Sequence, residues 1–271
     1  MAPKDEILAL SSGTRLAGRA ISYFDDCYET IFGAYWDKIF QSVLKPVPFT
    51  SVHYMLHHFQ NIRTELIELR EDMEDNELVY DFIRKTLQEI DLQPSLSEPN
   101  FYDCNDEEGH FECECSEIIQ KWVDYVEKNQ DRIDNLIVHS AFQIIFQDRS
   151  FLRNFHLKLA EIIEATVDEL TEKYPEGITV KGTIKRQYFP KWLISAVFYR
   201  DKGTCVKCRC DLSNLIRSQN TINIDHIVPL DNYGNNDASN FQLLCERCNK
   251  SKGARSSFTS TVNVPFWNLP N

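Results

Sequence analysis

Two Cys-x-x-Cys pairs, Cys205 with Cys208 and Cys245 with Cys248, stand 36 residues apart. Two thiolates three positions apart on a tight turn chelate one ion, and two such pairs complete a tetrahedral four-cysteine zinc site. The gap is wider than the commonest zinc-ribbon spacing, so the pairs must clamp an inserted unit. Cys210 offers an alternative to Cys208, but two residues between ligands suit the knuckle better, which leaves Cys210 as a spare small residue. The chain has nine cysteines in all. Its N-terminus lacks the basic flank, long apolar stretch and small-residue cleavage site of a secretory signal. A cytoplasmic setting is expected, and there cysteines point to metal rather than disulfides. Apolar runs such as Trp192 to Phe198 are too short to span a bilayer, so no membrane role is expected.

Net charge is -12 over 271 residues, which argues against a nucleic-acid partner until the charge is divided along the chain. Residues 181–271 hold 13 Lys+Arg and 6 Asp+Glu, a net of +7, and residues 1–180 hold 16 and 35, a net of -19. Such asymmetry is a domain signal and a partner signal. The basic part suits phosphates and the acidic part repels them.

Residues 1–180 read as a helical domain. Leu16, Ala20, Phe24, Cys27, Ile31 and Tyr35 recur at three- and four-residue steps. Ile62, Leu66, Leu69 and Met73 repeat the pattern, as do Tyr80, Ile83, Leu87 and Ile90, and Leu159, Ile163, Val167, Leu170 and Tyr174. Each set places an apolar stripe on one helix, and Cys27 within its stripe is expected to be a buried thiol. A bundle of about five to seven helices over residues 5–175 is the expected fold. Residues 93–115 interrupt it, with Pro94, Pro99, Gly109 and a run of acids, and read as an exposed loop. Cys104, His110, Cys113 and Cys115 lie within that loop, either as a second metal cluster of unfamiliar spacing or as incidental side chains. Arg149 and His156 share one helix, and their spacing resembles that of helical HEPN ribonuclease domains; the plainer reading is that the two have no joint role.

The boundary is expected within residues 175–188, where Pro175, Gly177 and Gly182 punctuate and basic residues begin. Beyond it the expected order is a helix from Pro190 to Tyr199, a strand at Thr221 to Ile227, a loop rich in Asn, Asp and Gly, a strand at Phe241 to Leu244, and a short helix stopping at Gly253. The tail, with Pro265, Trp267 and Pro270, reads as extended.

The inserted unit carries Asp225-His226-Ile227-x-Pro229, then Gly234, then Asn240. Together with Arg200-Asp201-x-Gly203-x-Cys205-x-x-Cys208 before it and Asn240-x-x-x-Leu244-Cys245-x-x-Cys248-Asn249-x-x-Lys252-Gly253 after it, this stretch resembles the HNH endonuclease family over about residues 187–255. The resemblance implies a ββα-metal fold; with the helical bundle before it, a mainly α protein is expected, with residues 181–271 as a small ββα-metal domain carrying the structural zinc. It implies His226 as the general base, Asn240 as the residue that fixes the loop and orients that histidine, and Asp225 and Asn249 as ligands of the catalytic ion. Asn249 stands where the last histidine of the motif often sits, so this is an H-N-N version. Arg200 and Asp201 match the family's turn before the knuckle and read as structural.

Physical chemistry supports these roles independently. Phosphodiester hydrolysis needs an activated water, stabilised phosphoryl oxygens and a departing alkoxide. A neutral imidazole suits the first. A hard divalent ion suits the others, and oxygen donors such as Asp225 and Asn249 favour Mg²⁺ or Mn²⁺. Neighbours on a strand point to opposite faces, so the strand must end or twist at Asp225–His226 for both to serve one site. Lys207, Arg209, Arg247, Lys250, Lys252 and Arg255, with Lys202 and Arg217, form the expected phosphate-binding surface for DNA. The acidic domain is expected to regulate or recruit, through a protein partner or self-association. An HNH unit joined to a helical domain resembles nucleases of bacterial defence against phage. The alternative is a zinc-stabilised module that binds nucleic acid without cutting.

Overall fold

The computed structural model describes residues 9–72, 75–104, 109–213 and 221–260. Met73, Arg217, Pro265, Trp267 and Pro270 lie outside the described residues. The protein is mostly helical, with a two-stranded sheet and a short helix toward its C-terminal end. The helices are α1 (Leu10–Leu44), α2 (Ser51–Phe59), α3 (Ile62–Asp72), α4 (Asn76–Glu89), α5 (Glu114–Lys128), α6 (Gln130–Ile145), α7 (Arg149–Ala165), α8 (Val167–Lys173) and α9 (Lys191–Arg200). Strands β1 (Ile222–His226) and β2 (Phe241–Cys245) and helix α10 (Glu246–Lys252) follow. The described residues before 175 thus hold eight helices rather than five to seven. The extra ones are short: α2 has nine residues and α8 seven, below the length at which a periodic stripe can be counted from sequence.

The chain forms two compact units, Met1–Ser22 with Leu56–Ile144, and Tyr23–Met55 with Ile145–Asn271. The change from acidic to basic composition near residue 181 therefore falls inside the second unit. In the first unit the stripes on α3, α4 and α5 meet, burying Ile62, Leu66, Ile83, Leu87, Ile119 and Val126. In the second, Phe24 and Phe32 of α1 pack on Phe151 and Phe155 of α7, with ring centroids 5.1 to 5.6 Å apart where they touch. Cys27 departs from expectation. It is half-exposed, and its thiol turns back to the Tyr23 carbonyl at 2.9 Å. At 100° per residue Cys27 lies about 60° round the helix from Phe24, at the margin of the stripe.

Pro190 caps α9, and Gly253, at φ 63°, ends α10. Both fit the expected breaks. Between them the second unit is organised around a buried carboxylate. Asp201 Oδ1 accepts from Arg149 Nη1 and Arg200 Nε, both at 2.9 Å. Its Oδ2 accepts from Arg200 Nη2 at 3.0 Å and from the Leu243 backbone N–H at 2.8 Å. α7, α9 and β2 thus converge on one residue. The paired arrangement removes Arg149 from any HEPN-like site: it is 3% exposed, and His156 on the same helix is 0% exposed.

Removing one partner of a buried charge pair leaves the others uncompensated, at a cost of about 3–5 kcal/mol. Asp201→Ala, which strands two guanidinium groups, is expected to lose that much stability in chemical denaturation. A loss under about 1 kcal/mol would show that the network does not organise this unit.

Candidate active site

β1 and β2 pair antiparallel, with Ile222 opposite Cys245 and His226 opposite Phe241. They share a buried core with Leu193, Val197, Val206 and Leu212, to which β2 contributes Leu243 and Leu244. β1 ends at His226, as it must if its last two side chains are to share a site. Asp225, His226 and Asn249 all line one cleft of about 430 Å³. Thr179, Thr183 and Arg186 form another part of its wall.

His226 is 2% exposed. Its Nε2 lies 3.3 Å from Asn236 Oδ1. The Asn236 amide is oriented without ambiguity, because its Nδ2 donates to the Leu44 and Lys185 carbonyls at 3.0 and 2.8 Å. Its oxygen therefore faces the imidazole, Nε2 carries the hydrogen, and Nδ1 keeps the lone pair. Burial, and then the positive charge of Arg186, push the His226 pKa down to about 3, so the ring is neutral at neutral pH. Phe189 and Phe241 pack on the ring at 5.9 and 4.5 Å.

The loop between the strands is held from within and by helices. Asn240 Oδ1 accepts from the Val228 N–H at 2.9 Å, and its Nδ2 donates to the Val228 and Asn235 carbonyls at 3.0 and 2.9 Å. Asn240 thus ties the loop together, while the direct contact with His226 is made by Asn236, which sequence reasoning missed. Asp237 Oδ2 accepts from the Ser51 N–H and hydroxyl, at 2.7 and 2.8 Å. His156 completes the arrangement. Asn235 Nδ2 sits 3.2 Å from its Nδ1 and Ser239 Oγ 2.9 Å from its Nε2. An amide nitrogen only donates, so Nδ1 accepts, Nε2–H donates to Ser239, and Ser239 donates to Asp237 Oδ1. A Cβ on Gly234 would collide with the Val228 and Pro229 carbonyls, so only glycine fits that bend.

The cysteine group is larger than expected. The sulfurs of Cys205, Cys208, Cys210 and Cys245 all lie within 4.8 Å of one another and fit a zinc site. Cys208 and Cys245 are 3.7 Å apart. Thiolates about 2.3 Å from zinc at tetrahedral angles sit about 3.8 Å apart, whereas a disulfide needs about 2 Å. Cys210 is no spare residue: a turn bonding the Cys205 N–H to the Cys210 carbonyl at 3.0 Å brings its thiol into the group. The Cys248 thiol interacts with those of Cys245, Cys208 and Cys205, so five sulfurs compete for four positions.

Residues 205–255 match the family model for HNH endonuclease. No curated protein and no solved structure matches the chain. The match supports nuclease activity in general and implies a nucleic-acid substrate. Within the HNH region the basic residues divide. Lys207, Arg247, Lys250 and Arg255 are exposed, with Lys250 paired to Glu246 across one turn of α10. Arg209 is half-buried and donates to Ser260 Oγ. Lys252 is not on the surface at all. It is 7% exposed, and its ammonium bridges Asp225 Oδ2 at 2.9 Å and the His226 carbonyl at 2.8 Å. A buried lysine needs such partners, and α10 packs its last turn against β1 to provide them. Arg186, exposed at the cleft beside His226, was not singled out from sequence; its only signal was its place in the basic run that opens at Lys181.

Burial pushes the His156 pKa down to about 4, against about 6.5 for a free imidazole. The unfolded chain takes up this proton first, so the contribution of His156 is full above about pH 6.5 and is lost as pH falls toward about 4. Urea denaturation from pH 7.5 to 4.5 is expected to show falling stability, with a shallower fall in His156→Gln. Equal slopes would exclude His156 as the buried proton sensor.

Proposed function

We propose that the protein is a metal-dependent endonuclease that hydrolyses DNA phosphodiester bonds in the cleft lined by His226, Asp225, Asn249 and Arg186. The observation that carries the reading is the tautomer of His226. Asn236 holds the hydrogen on Nε2, so Nδ1 is free to take a proton from an attacking water. Burial keeps the ring neutral, and the negative charge of a phosphate entering the cleft would raise its affinity for the proton. Arg186 lies where a guanidinium can bind phosphoryl oxygens as negative charge builds on them. Lys207, Arg247 and Arg255 supply exposed positive charge for the flanking phosphates.

The donor chemistry at the cleft fits Mg²⁺ or Mn²⁺. Asp225 engages one carboxylate oxygen with Lys252 and Gln242, which leaves it a second, and Asn249 adds an amide oxygen while its nitrogen faces Asn223 at 3.5 Å. When bound there, such an ion supplies charge stabilisation for the phosphoryl oxygens and the leaving alkoxide. Asn240 acts through the loop: by fixing Val228 and Asn235 it keeps His226 and Asn236 in register. The structural zinc belongs to the cysteine group, where Cys245 and Cys248 join α10 to the Cys205 knuckle and so position Asn249.

One observation favours a second reading, a module that binds nucleic acid without cutting: Lys252 already neutralises part of the Asp225 charge. Supercoiled plasmid with Mg²⁺ or Mn²⁺ separates the two. The wild type is expected to nick or linearise it, EDTA to stop the reaction, and His226→Ala to slow it by at least about 10²-fold with folding and zinc content unchanged. Retained plasmid binding without cleavage in the wild type would favour the binding module. Arg186→Ala is expected to slow cleavage by about 10²-fold as well, and an unchanged rate would remove Arg186 from the site. The acidic residues 1–180 then serve a partner or a second copy rather than DNA. A defence role would appear as fewer plaques in cells carrying the wild type than in cells carrying His226→Ala.

A further inference from the structure

A second group of metal-ligating side chains lies in the other compact unit, outside the HNH region. The sulfurs of Cys104, Cys113 and Cys115 and a ring nitrogen of His110 all lie within 4.8 Å of one another. We infer that these four residues form a second zinc site, of the three-cysteine, one-histidine type, which clamps the connection between α4 and α5.

The geometry is that of a tetrahedral shell. Cys113 Sγ lies 3.8 Å from His110 Nδ1. Sulfur at about 2.3 Å and nitrogen at about 2.0 Å from one zinc stand about 3.5 Å apart at tetrahedral angles, so a shift of a few tenths of an ångström closes the shell. All three cysteines are free thiols. Nδ1 is the nitrogen that faces the sulfurs, and His110 reaches them through an unusual backbone. Gly109 at φ 93° and His110 at φ 59° are consecutive left-handed residues. A histidine seldom adopts that region unless the surrounding structure holds it there. The turn is held from α4: the Asn76 N–H donates to the Gly109 carbonyl, and Asn76 Nδ2 to the His110 carbonyl, both at 2.9 Å.

The site also has a task. Among the described residues of 90–113 there is no helix or strand. The described stretch of residues 90–104 alone is long for a segment without elements of its own in a compact unit, and such a stretch calls for something to fasten it. Aromatic contacts fasten part of it, with Phe101 on His110 at 4.9 Å and on Tyr80 at 6.0 Å, and Trp122 Nε1 bonded to the Ser97 carbonyl at 2.9 Å. The four ligands fasten the rest, joining Cys104 in the connection to Cys113 and Cys115 at the start of α5. Cys113 caps that helix, where the dipole favours a thiolate. Binding Zn²⁺ replaces three thiol protons, which pass to solvent, and leaves the complex with one net negative charge.

Metal analysis of the purified full-length chain tests this. The wild type is expected to hold two zinc ions, and both the Cys104→Ser/Cys113→Ser and the Cys205→Ser/Cys245→Ser proteins one each. Two ions retained in Cys104→Ser/Cys113→Ser would overturn the assignment. Should that variant not fold, the wild type decides. Two zinc ions whose X-ray absorption averages a minority of nitrogen among sulfur ligands support the site. A single zinc, a shell of sulfur alone, or iron in place of the second zinc would overturn it. Plasmid cleavage does not enter these readouts, so failure here is distinct from failure of the nuclease reading.

Discussion

A polar group buried without a partner costs about 1–3 kcal/mol, and the loop between β1 and β2 buries many at once. Asn235, Asn236, Asp237, Ser239 and Asn240 are all fully shielded from water. The short loop cannot satisfy them alone. Asn240 serves the loop itself. Asn236 is met by the Val43, Leu44 and Lys185 carbonyls and His226, Asp237 by Ser51, and Ser239 and Asn235 by His156. The site residues stay in place because this accounting closes.

That accounting changes what the helices of the second unit are for. The end of α1, the start of α2 and the middle of α7 donate or accept bonds that the HNH region needs. α7 does so twice, through His156 to the loop and through Arg149 to Asp201, whose carboxylate also holds the Leu243 N–H of β2. A ββα element of this kind is small, and its own hydrophobic core is modest. Here it is completed by charge pairs and amide contacts from helices more than fifty residues upstream. Cutting the chain at the change of composition near residue 181 would remove these partners and strand their buried counterparts.

Much of the site was legible in sequence. Cys205, Cys208 and Cys245 were singled out because thiolate pairs have few other uses at such spacing, and His226, Asp225, Asn240 and Asn249 because the stretch resembles the HNH family. The two strands, α9 and α10 were legible for a related reason, since Pro190 and Gly253 act on the backbone locally. The helical stripes on α1, α3, α4 and α7 followed from periodicity. What was missed depended on distance. Asn236 looks unremarkable in one dimension, His156 drew notice only for its spacing from Arg149, Lys252 reads as a surface charge, and Cys210 reads as spare, because spacing rules describe ligands and not the folding of the chain around them.

The sequence by itself determined the chemistry available: a set of thiols able to hold zinc, an imidazole beside oxygen donors, a basic stretch, and apolar stripes of helical period. These are local properties, fixed by residue type and by intervals of a few positions. Tertiary structure alone decided how that chemistry is deployed. It chose which imidazole nitrogen is free, turned Lys252 inward onto Asp225, brought Arg186 to the cleft and drew Cys104, His110, Cys113 and Cys115 together. The first two are outcomes of satisfying buried polar groups from partners far along the chain, and no interval in the sequence encodes who those partners are.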